Sequence, residues 1–340
     1  MKTKGKILVT GGCGYIGSHT LVDLVDNGFE VLGIDNNSRS NPEILQGVEK
    51  ITGKRIKNYQ IDLCDFEKTK KIFQKHKDIK GIIHFAAFKT VPESVENPLL
   101  YYHNNLNSLI SLLQCVEEFK IPRFVFSSSC SVYGNAKKLP VTETTPFGIP
   151  ESPYAHTKQI GEEMIAHFAK RVNTQFINLR YFNPAGAHAT SAIGEIQWGK
   201  PQNLVPVITN AALKKKKLTV HGADYPTRDG SCLRDYIHVM DVAHAHTLAL
   251  EYMMKNRHTG NNQVFNLGLG NGVTVLEALK AFEKVTGVKP LYTIGPRRQG
   301  DVAAIYSDNK KAARLLRWKP TRSLDDIMFS AWNWEKERRL

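Results

Sequence analysis

The chain is 340 residues long and 41% hydrophobic, with 46 Lys and Arg against 32 Asp and Glu and a net charge of +14. That length corresponds to about two domains, or one large domain with a lobe, and the apolar share is ample for a core, which excludes a disordered chain. No apolar run approaches the ~18 residues that span a bilayer, and five scattered cysteines (Cys13, Cys64, Cys115, Cys130, Cys232) lack CxxC or zinc-like spacing, the pattern of reduced cytosolic thiols.

In chain order, the lysine-rich residues 1–6 lead into a short apolar run at 6–10, too short for a secretory h-region, so a soluble, cytoplasmic protein is expected. Residues 6–10 read as a strand and 16–27 as a helix, and between them lies Gly11-Gly12-Cys13-Gly14-Tyr15-Ile16-Gly17. A glycine loop between a strand and a helix lets backbone N–H groups approach a pyrophosphate at the helix N-terminus, so Gly11, Gly14 and Gly17 point to a dinucleotide. A second strand, 30–34, ends at Asp35, 18 residues after Gly17. A carboxylate there accepts from a ribose 2′-hydroxyl and repels a 2′-phosphate, which favours NAD over NADP.

Strands follow at 58–61, 81–85, 123–127 and 175–179, alternating with amphipathic helices at 66–75, 99–119 and 154–171. This rhythm predicts a Rossmann-type doubly wound parallel sheet, whose ligands collect at the carboxyl ends of the strands. The strand at 123–127 exits into Ser127-Ser128-Ser129-Cys130, and 25 residues after Ser129 comes Tyr154-Ala155-His156-Thr157-Lys158. Tyr154 and Lys158 are i and i+4 on one helix face. An ammonium beside a phenol is expected to lower the phenol's pKa, so that Tyr154 removes a proton from a hydroxyl near neutrality, with Ser129 bonded to the reacting oxygen. Cys130 reads as a buried strand-end thiol without an activating neighbour.

Beyond about residue 180 the rhythm breaks into long loops at 183–203 and 222–230, with later helices at 274–285 and 323–336. We expect residues 1–182 to form the nucleotide domain and 183–340 a smaller mixed α/β substrate-binding lobe, with an approximate boundary that the chain can cross. Lys214-Lys215-Lys216-Lys217 closes a helix, where cations suit the helix dipole, and no nucleic-acid motif accompanies it. His238, His244 and His246 lack a shared helix face, so no metal site is expected. Trp332 and Trp334 should anchor the last helix to the core.

Over nearly its whole length the chain resembles the UDP-galactose 4-epimerase family of extended short-chain dehydrogenase/reductases. The resemblance rests on residues 10–20, 83–86, 126–129, 180–184 (Arg-Tyr-Phe-Asn-Pro), 234–241 and 296–301 (Pro-Arg-Arg-Gln-Gly-Asp). It implies Tyr154 as base, Lys158 as its electrostatic partner and nicotinamide-ribose ligand, and Ser129 as a sugar ligand. By the same resemblance Tyr15, Ile16, Asp35, Asn36, Asp62, Leu63, Phe85, Ala86, Ala87, Lys89, Asn104 and Phe182 line the NAD site. Asn183, Asn203, Leu204, His221, Arg234, Arg298, Asp301 and Ile305 match positions around a UDP-sugar. Two arginines suit a diphosphate through charge-assisted bonds. The family mechanism implied is oxidation at C4, turning of the 4-keto sugar and re-reduction, in a homodimer built through the helices at 99–119 and 154–171.

Some positions depart from the family pattern. Ala87 and Pro92 replace glycines near the cofactor, His221 replaces a carbocyclic aromatic by the uracil, and Arg228 replaces an acid. Ile305 occupies the gate beside the sugar, where a bulky tyrosine excludes N-acetyl groups and a small residue admits them; isoleucine is intermediate. A 4,6-dehydratase carries an Asp-Glu pair where this chain has Cys130-Ser131, which argues against elimination. A non-catalytic binder would have lost Tyr154 or Lys158, and both are kept.

Overall fold

The protein is described by a computed structural model covering residues 3–197, 199, 201–255, 261–298 and 302–338. Its first half alternates strands β1 (Lys6–Thr10), β2 (Glu30–Ile34), β3 (Lys57–Tyr59), β4 (Ile79–His84), β5 (Arg123–Ser129) and β6 (Gln175–Tyr181) with helices. The helices are α1 (Tyr15–Asp26), α2 (Ile44–Thr52), α3 (Phe66–Lys75), α4 (Val91–Glu96), α5 (Pro98–Glu118) and α6 (Pro153–Phe168). Helices α2 and α4 were not expected from the sequence; they are short pieces inside loops. Strands β5 and β6 each run two residues past their predicted ends, carrying Ser128, Ser129, Arg180 and Tyr181 into the sheet.

The second half comprises β7 (Asn183–Ala185), α7 (Leu204–Leu213), β8 (Leu218–His221), β9 (Leu233–Arg234), β10 (Tyr236–His238) and α8 (Val239–Lys255). It continues with β11 (Asn262–Leu267), β12 (Val273–Thr274), α9 (Val275–Thr286), β13 (Tyr292–Gly295), β14 (Ala304–Ile305), α10 (Lys310–Leu315) and α11 (Leu324–Glu337).

The main sheet is seven-stranded and parallel throughout, in the order β11-β6-β5-β4-β1-β2-β3. Parallel strands covered on both faces read as continuous apolar runs, as β1 does. Alternation then sorts its side chains. Ile7 and Val9 face one core with residues of α1 and α8, while Leu8 faces the other with residues of α3, α5 and α6. The last strand comes from far along the chain: β11 pairs with β6, and α8 packs on α1, so the second half returns to the main sheet. A third core, with Val205, Ile208, Val220, Phe282, Ile327 and Trp332, holds the remaining elements together.

Local chemistry sets the helix starts. Ser152 accepts from the Ala155 N–H at the head of α6, with Pro153 in the first turn where no N–H is needed. Helices α9 and α11 open with reciprocal capping boxes, Thr274 with Glu277 and Ser323 with Asp326. Pro92 likewise falls in the first turn of α4, so its replacement of glycine is accommodated. Arg228 pairs with Glu277 of the α9 capping box and donates to Gly272 O at 2.7 Å.

One ion pair joins β6 to α6. Glu162 and Arg180 have side chains only 4% and 5% exposed, and the guanidinium grips the carboxylate through Nε at 2.8 Å and Nη2 at 2.6 Å. Ser128 also donates to Glu162, and Arg180 donates to Tyr133 at 3.0 Å, which in turn donates to Asn266 of β11 at 2.6 Å. Removing one partner of such a pair strands a buried charge. Glu162→Ala is therefore expected to lower the unfolding free energy by about 3–5 kcal/mol, measured by urea denaturation; a loss below about 1 kcal/mol would show that Arg180 finds water or another anion.

Candidate active site

The glycine loop leaves β1 and enters α1 at the carboxyl edge of the sheet. Gly11 has φ +69°, and a Cβ there would meet the Ala86 backbone nitrogen at 2.8 Å, so the two loops close on each other. A Cβ on Gly17 would overlap the Gly11 carbonyl oxygen. Gly14 is the N-cap of α1, without a side-chain cap and without an acid in the first turn, which leaves the helix N–H groups open to an anion. Tyr15 donates to Gly186 O at 2.6 Å, and Ile16 packs on the core.

The adjoining strand ends hold the other residues expected around a dinucleotide. Asp35 accepts from Cys13 N at 3.0 Å, Asn37 N at 2.9 Å and Ser40 Oγ at 2.7 Å, which fixes its carboxylate beside the loop. Asn36 donates to Asp62 at 3.2 Å, Leu63 is buried beneath, and the Cys64 thiol lies 3.7 Å from Asn104 O, so the ends of β2 and β3 meet α5. Phe85 bonds Thr10 O through its N–H at 3.1 Å and packs on His246. Ala86 and Ala87 continue that loop, and Lys89 lies 5.9 Å from the centre of the Tyr15 ring. This set fits NAD: an anion cradle that a Cβ would fill, and an acid at the ribose position that a 2′-phosphate would oppose.

Tyr154, Lys158 and Ser129 come together at the ends of β5 and α6. Lys158 Nζ donates to Ser127 O at 2.7 Å and stands 5.8 Å from the centre of the Tyr154 ring. Burial pushes the Tyr154 hydroxyl up to about 12, against the pull of its hydrogen bond with Ser129. Burial likewise brings Lys158 down to about 8, with Glu162 opposing. The expected depression of Tyr154 is thus reversed: desolvation of the phenolate outweighs the bond with Ser129, and the Lys158 ammonium is turned to a backbone carbonyl. Cys130 is only partly buried as a residue, and desolvation raises its thiol to about 12, which makes it a poor nucleophile.

The residues expected around a UDP-sugar lie on several segments of the second half. Ile305 is buried in one cluster with Val132, Tyr133, Val141 and Phe182, the last of these expected at the NAD site. Asn183 bonds Asp235 O through its N–H at 3.0 Å, while its buried Oδ1 has no protein partner among the described residues. Asn203 occupies the N-cap position of α7 without a side-chain cap bond, followed by Leu204, and Arg298 donates to Gln202 at 3.2 Å beside them. His221, at the end of β8, lies 3.3 Å from Pro296 O on the same rim. Arg234 donates to Val302 O at 2.6 Å and lies near enough to Cys130 to lower its thiol pKa. Asp301 lies outside the described residues.

Several residues at the site were not singled out from sequence. Asp235 is fully buried and accepts from Ser307 Oγ and N at 2.6 and 2.9 Å, and from Leu269 N at 2.7 Å, tying the Arg234 and Ile305 segments together. Tyr181 donates to Ser127, and Glu195 bonds Lys89 at 3.0 Å. Glu162 had a usable signal, since it lies one turn beyond Lys158 on the same face; Glu195, in an irregular loop, had none. Among the described residues no group of acids, histidines and cysteines could hold a metal. His244 instead faces Asp23 at 3.3 Å, and His238 faces Ser330 at 3.2 Å.

The glycine cradle, the acid at the end of β2 and the Tyr–Lys pair define an NAD-dependent enzyme of the extended short-chain dehydrogenase/reductase type. Residues 8–330 match a family model described as GDP-mannose 4,6 dehydratase. A UDP-glucose 4-epimerase of Drosophila melanogaster is 43% identical over 339 residues, covering 97% of this chain and 96% of that protein. One of Bacillus subtilis is 44% identical over 331 residues, with 97% and 96% covered. The chain belongs to the UDP-glucose 4-epimerase family. The crystal structure of the Stenotrophomonas maltophila enzyme, with bound NAD and formylated UDP-arabinopyranose, superposes with a TM-score of 0.95 at 40% identity over 98% of both chains. That from Bifidobacterium longum, in complex with NAD+ and UDP, gives 0.92 at 40% identity, again over 98% of both.

The depressed Lys158 makes a pH-dependent difference. At neutral pH the lysine is protonated in both folded and unfolded chains, and the folded state bears the burial cost. Between about 8 and 10.5 the unfolded lysine keeps its proton while the folded one releases it. The unfolded state then binds more protons, so folding gains stability as pH rises through that window. Wild-type stability measured relative to Lys158→Met should therefore climb between those pH values in urea unfolding; a flat difference would place Lys158 in an ordinary aqueous environment.

Proposed function

We propose that the protein interconverts UDP-galactose and UDP-glucose, with Tyr154 as the proton-transferring group at the sugar C4 oxygen. The observation that carries this reading is the meeting of Tyr154, Ser129 and Lys158 at the strand ends that also carry the glycine loop, with Arg234 near Cys130, the residue after Ser129. Bound NAD supplies the acceptor, and then the donor, of the C4 hydride. Tyr154 takes the proton from the 4-hydroxyl and later returns it to the C4 oxygen once the 4-keto sugar presents its other face. Ser129, already bonded to Tyr154, lowers the cost of a phenolate, and Lys158 adds a positive charge nearby. Asn183, Asn203, Leu204, Arg234 and Arg298 hold the nucleotide end while the sugar turns, and such positioning supplies much of the rate advantage. Asp301, at the remaining matched position, is proposed to bind the nucleotide as well.

We also propose a cytoplasmic homodimer. Ile110, Leu113, Ile160, Met164 and Phe168 line an apolar groove of about 640 Å³ between α5 and α6. It lies on the outer side of α6, while Lys158 and Glu162 of the same helix are buried inward. A second copy presenting the same two helices would bury it as a self-complementary interface.

Purified protein given UDP-galactose and no added NAD should form UDP-glucose over many turnovers, because the cofactor is regenerated in each cycle. No conversion even with NAD supplied would refute the reading. Tyr154→Phe should keep NAD and lose more than about 100-fold in kcat; wild-type rates in that variant would remove Tyr154 from the chemistry. Sedimentation at micromolar concentration should give a dimer, and a monomer would refute the proposed interface.

A further inference from the structure

Glu195 lies in the loop between β7 and α7 and is 7% exposed. A single carboxylate oxygen, Oε1, accepts from Lys89 Nζ at 3.0 Å and from Asn203 Nδ2 at 3.3 Å. Its main chain is held separately. Trp334 of α11 donates its indole N–H to Glu195 O at 3.0 Å, and Gly194 is packed so closely on that indole that a Cβ would overlap the ring. The loop is thus fixed by its backbone, and the side chain is left for another task.

Asn203 occupies the N-cap of α7, a position where asparagine ordinarily accepts from the first-turn N–H groups of its own helix. Helix α7 has no such side-chain bond. The third helical residue is Pro206, which has no N–H, and the Asn203 amide donates to Glu195, so the N–H groups of Leu204 and Val205 are left for an anion. Lys89, 59% exposed, has in Glu195 the carboxylate that holds its ammonium near the Tyr15 ring at the head of α1. Without that carboxylate, Lys89 is released to solvent and Asn203 is free to turn back onto its own helix and compete with a diphosphate.

We infer that Glu195 is a positioning residue that joins the two binding sites, holding Lys89 for the dinucleotide and Asn203 away from the α7 N-terminus for the UDP-sugar. This rests on the proposed epimerase reading. In Glu195→Ala assayed with saturating NAD, KM for UDP-galactose should rise about tenfold, the size of one charge-assisted hydrogen bond, with kcat within about threefold. The same variant should lose NAD on gel filtration, read from the cofactor absorbance of the recovered protein. Glu195→Gln keeps an oxygen for Asn203 but no charge for Lys89, so it should restore KM and not NAD retention. The bond to Trp334 is made by the backbone, so both variants should unfold near the wild-type urea midpoint.

Unchanged KM and NAD retention in Glu195→Ala would overturn the inference, as would a fall in kcat at unchanged KM. If wild-type protein fails to convert UDP-galactose, the functional reading falls instead. NAD retention and calorimetric titration with UDP would still report on Glu195 alone.

Discussion

The bidentate pair of Glu162 and Arg180, closed off from water, is the constraint on which the site depends. Arg180 sits opposite Ser128 in the register of β5 and β6, and Glu162 takes bonds from both. Strands β5 and β6 and helix α6 are thereby locked at one level of the sheet. The neighbours of those residues in sequence are the ones that carry the proposed chemistry: Ser129 follows Ser128, and Lys158 precedes Glu162 by one turn. A buried ion pair adds little net stability compared with apolar packing, but its geometry is demanding. Here that demand fixes the distance between a strand end and a helix.

The same burial governs the acid–base groups. A phenol raised to about 12 and an ammonium lowered to about 8 are both held toward their neutral forms. At neutral pH Lys158 keeps its proton while Tyr154 stays a neutral phenol, and the contact with Ser129 is the local feature that favours the phenolate. A site of this kind is prepared to respond to charge brought in by ligands.

Chain connectivity brings the second half back against the first. Helix α8 covers one face of the sheet and β11 extends it beyond β6, and only then do α9 and α11 complete the smaller core. The segments that carry Arg234 and Ile305 are joined to each other and to the loop after β11 by the carboxylate of Asp235. The segments proposed to hold the UDP-sugar are therefore built on elements that return to the main sheet, and Glu195 is proposed to link the two sites from an irregular loop.

Periodicity and spacing in the sequence determined the alternating strands and helices, the glycine loop, the acid ending β2 and the shared face of Tyr154 and Lys158. These are local: a strand's two-residue period, a helix's four-residue step and a turn that needs glycine are set by neighbours in the chain. Resemblance to a known family supplied the positions at 182–183, 203–204, 221, 234, 298 and 305, which no spacing rule links. The tertiary structure decided the rest. It brought β11 to the edge of the sheet, buried Glu162 against Arg180, and turned Asn203 from its own helix to Glu195. It also reversed the expected shift of Tyr154, because a nearby charge can be read from an i, i+4 spacing, whereas the loss of water depends on every segment packed around the group.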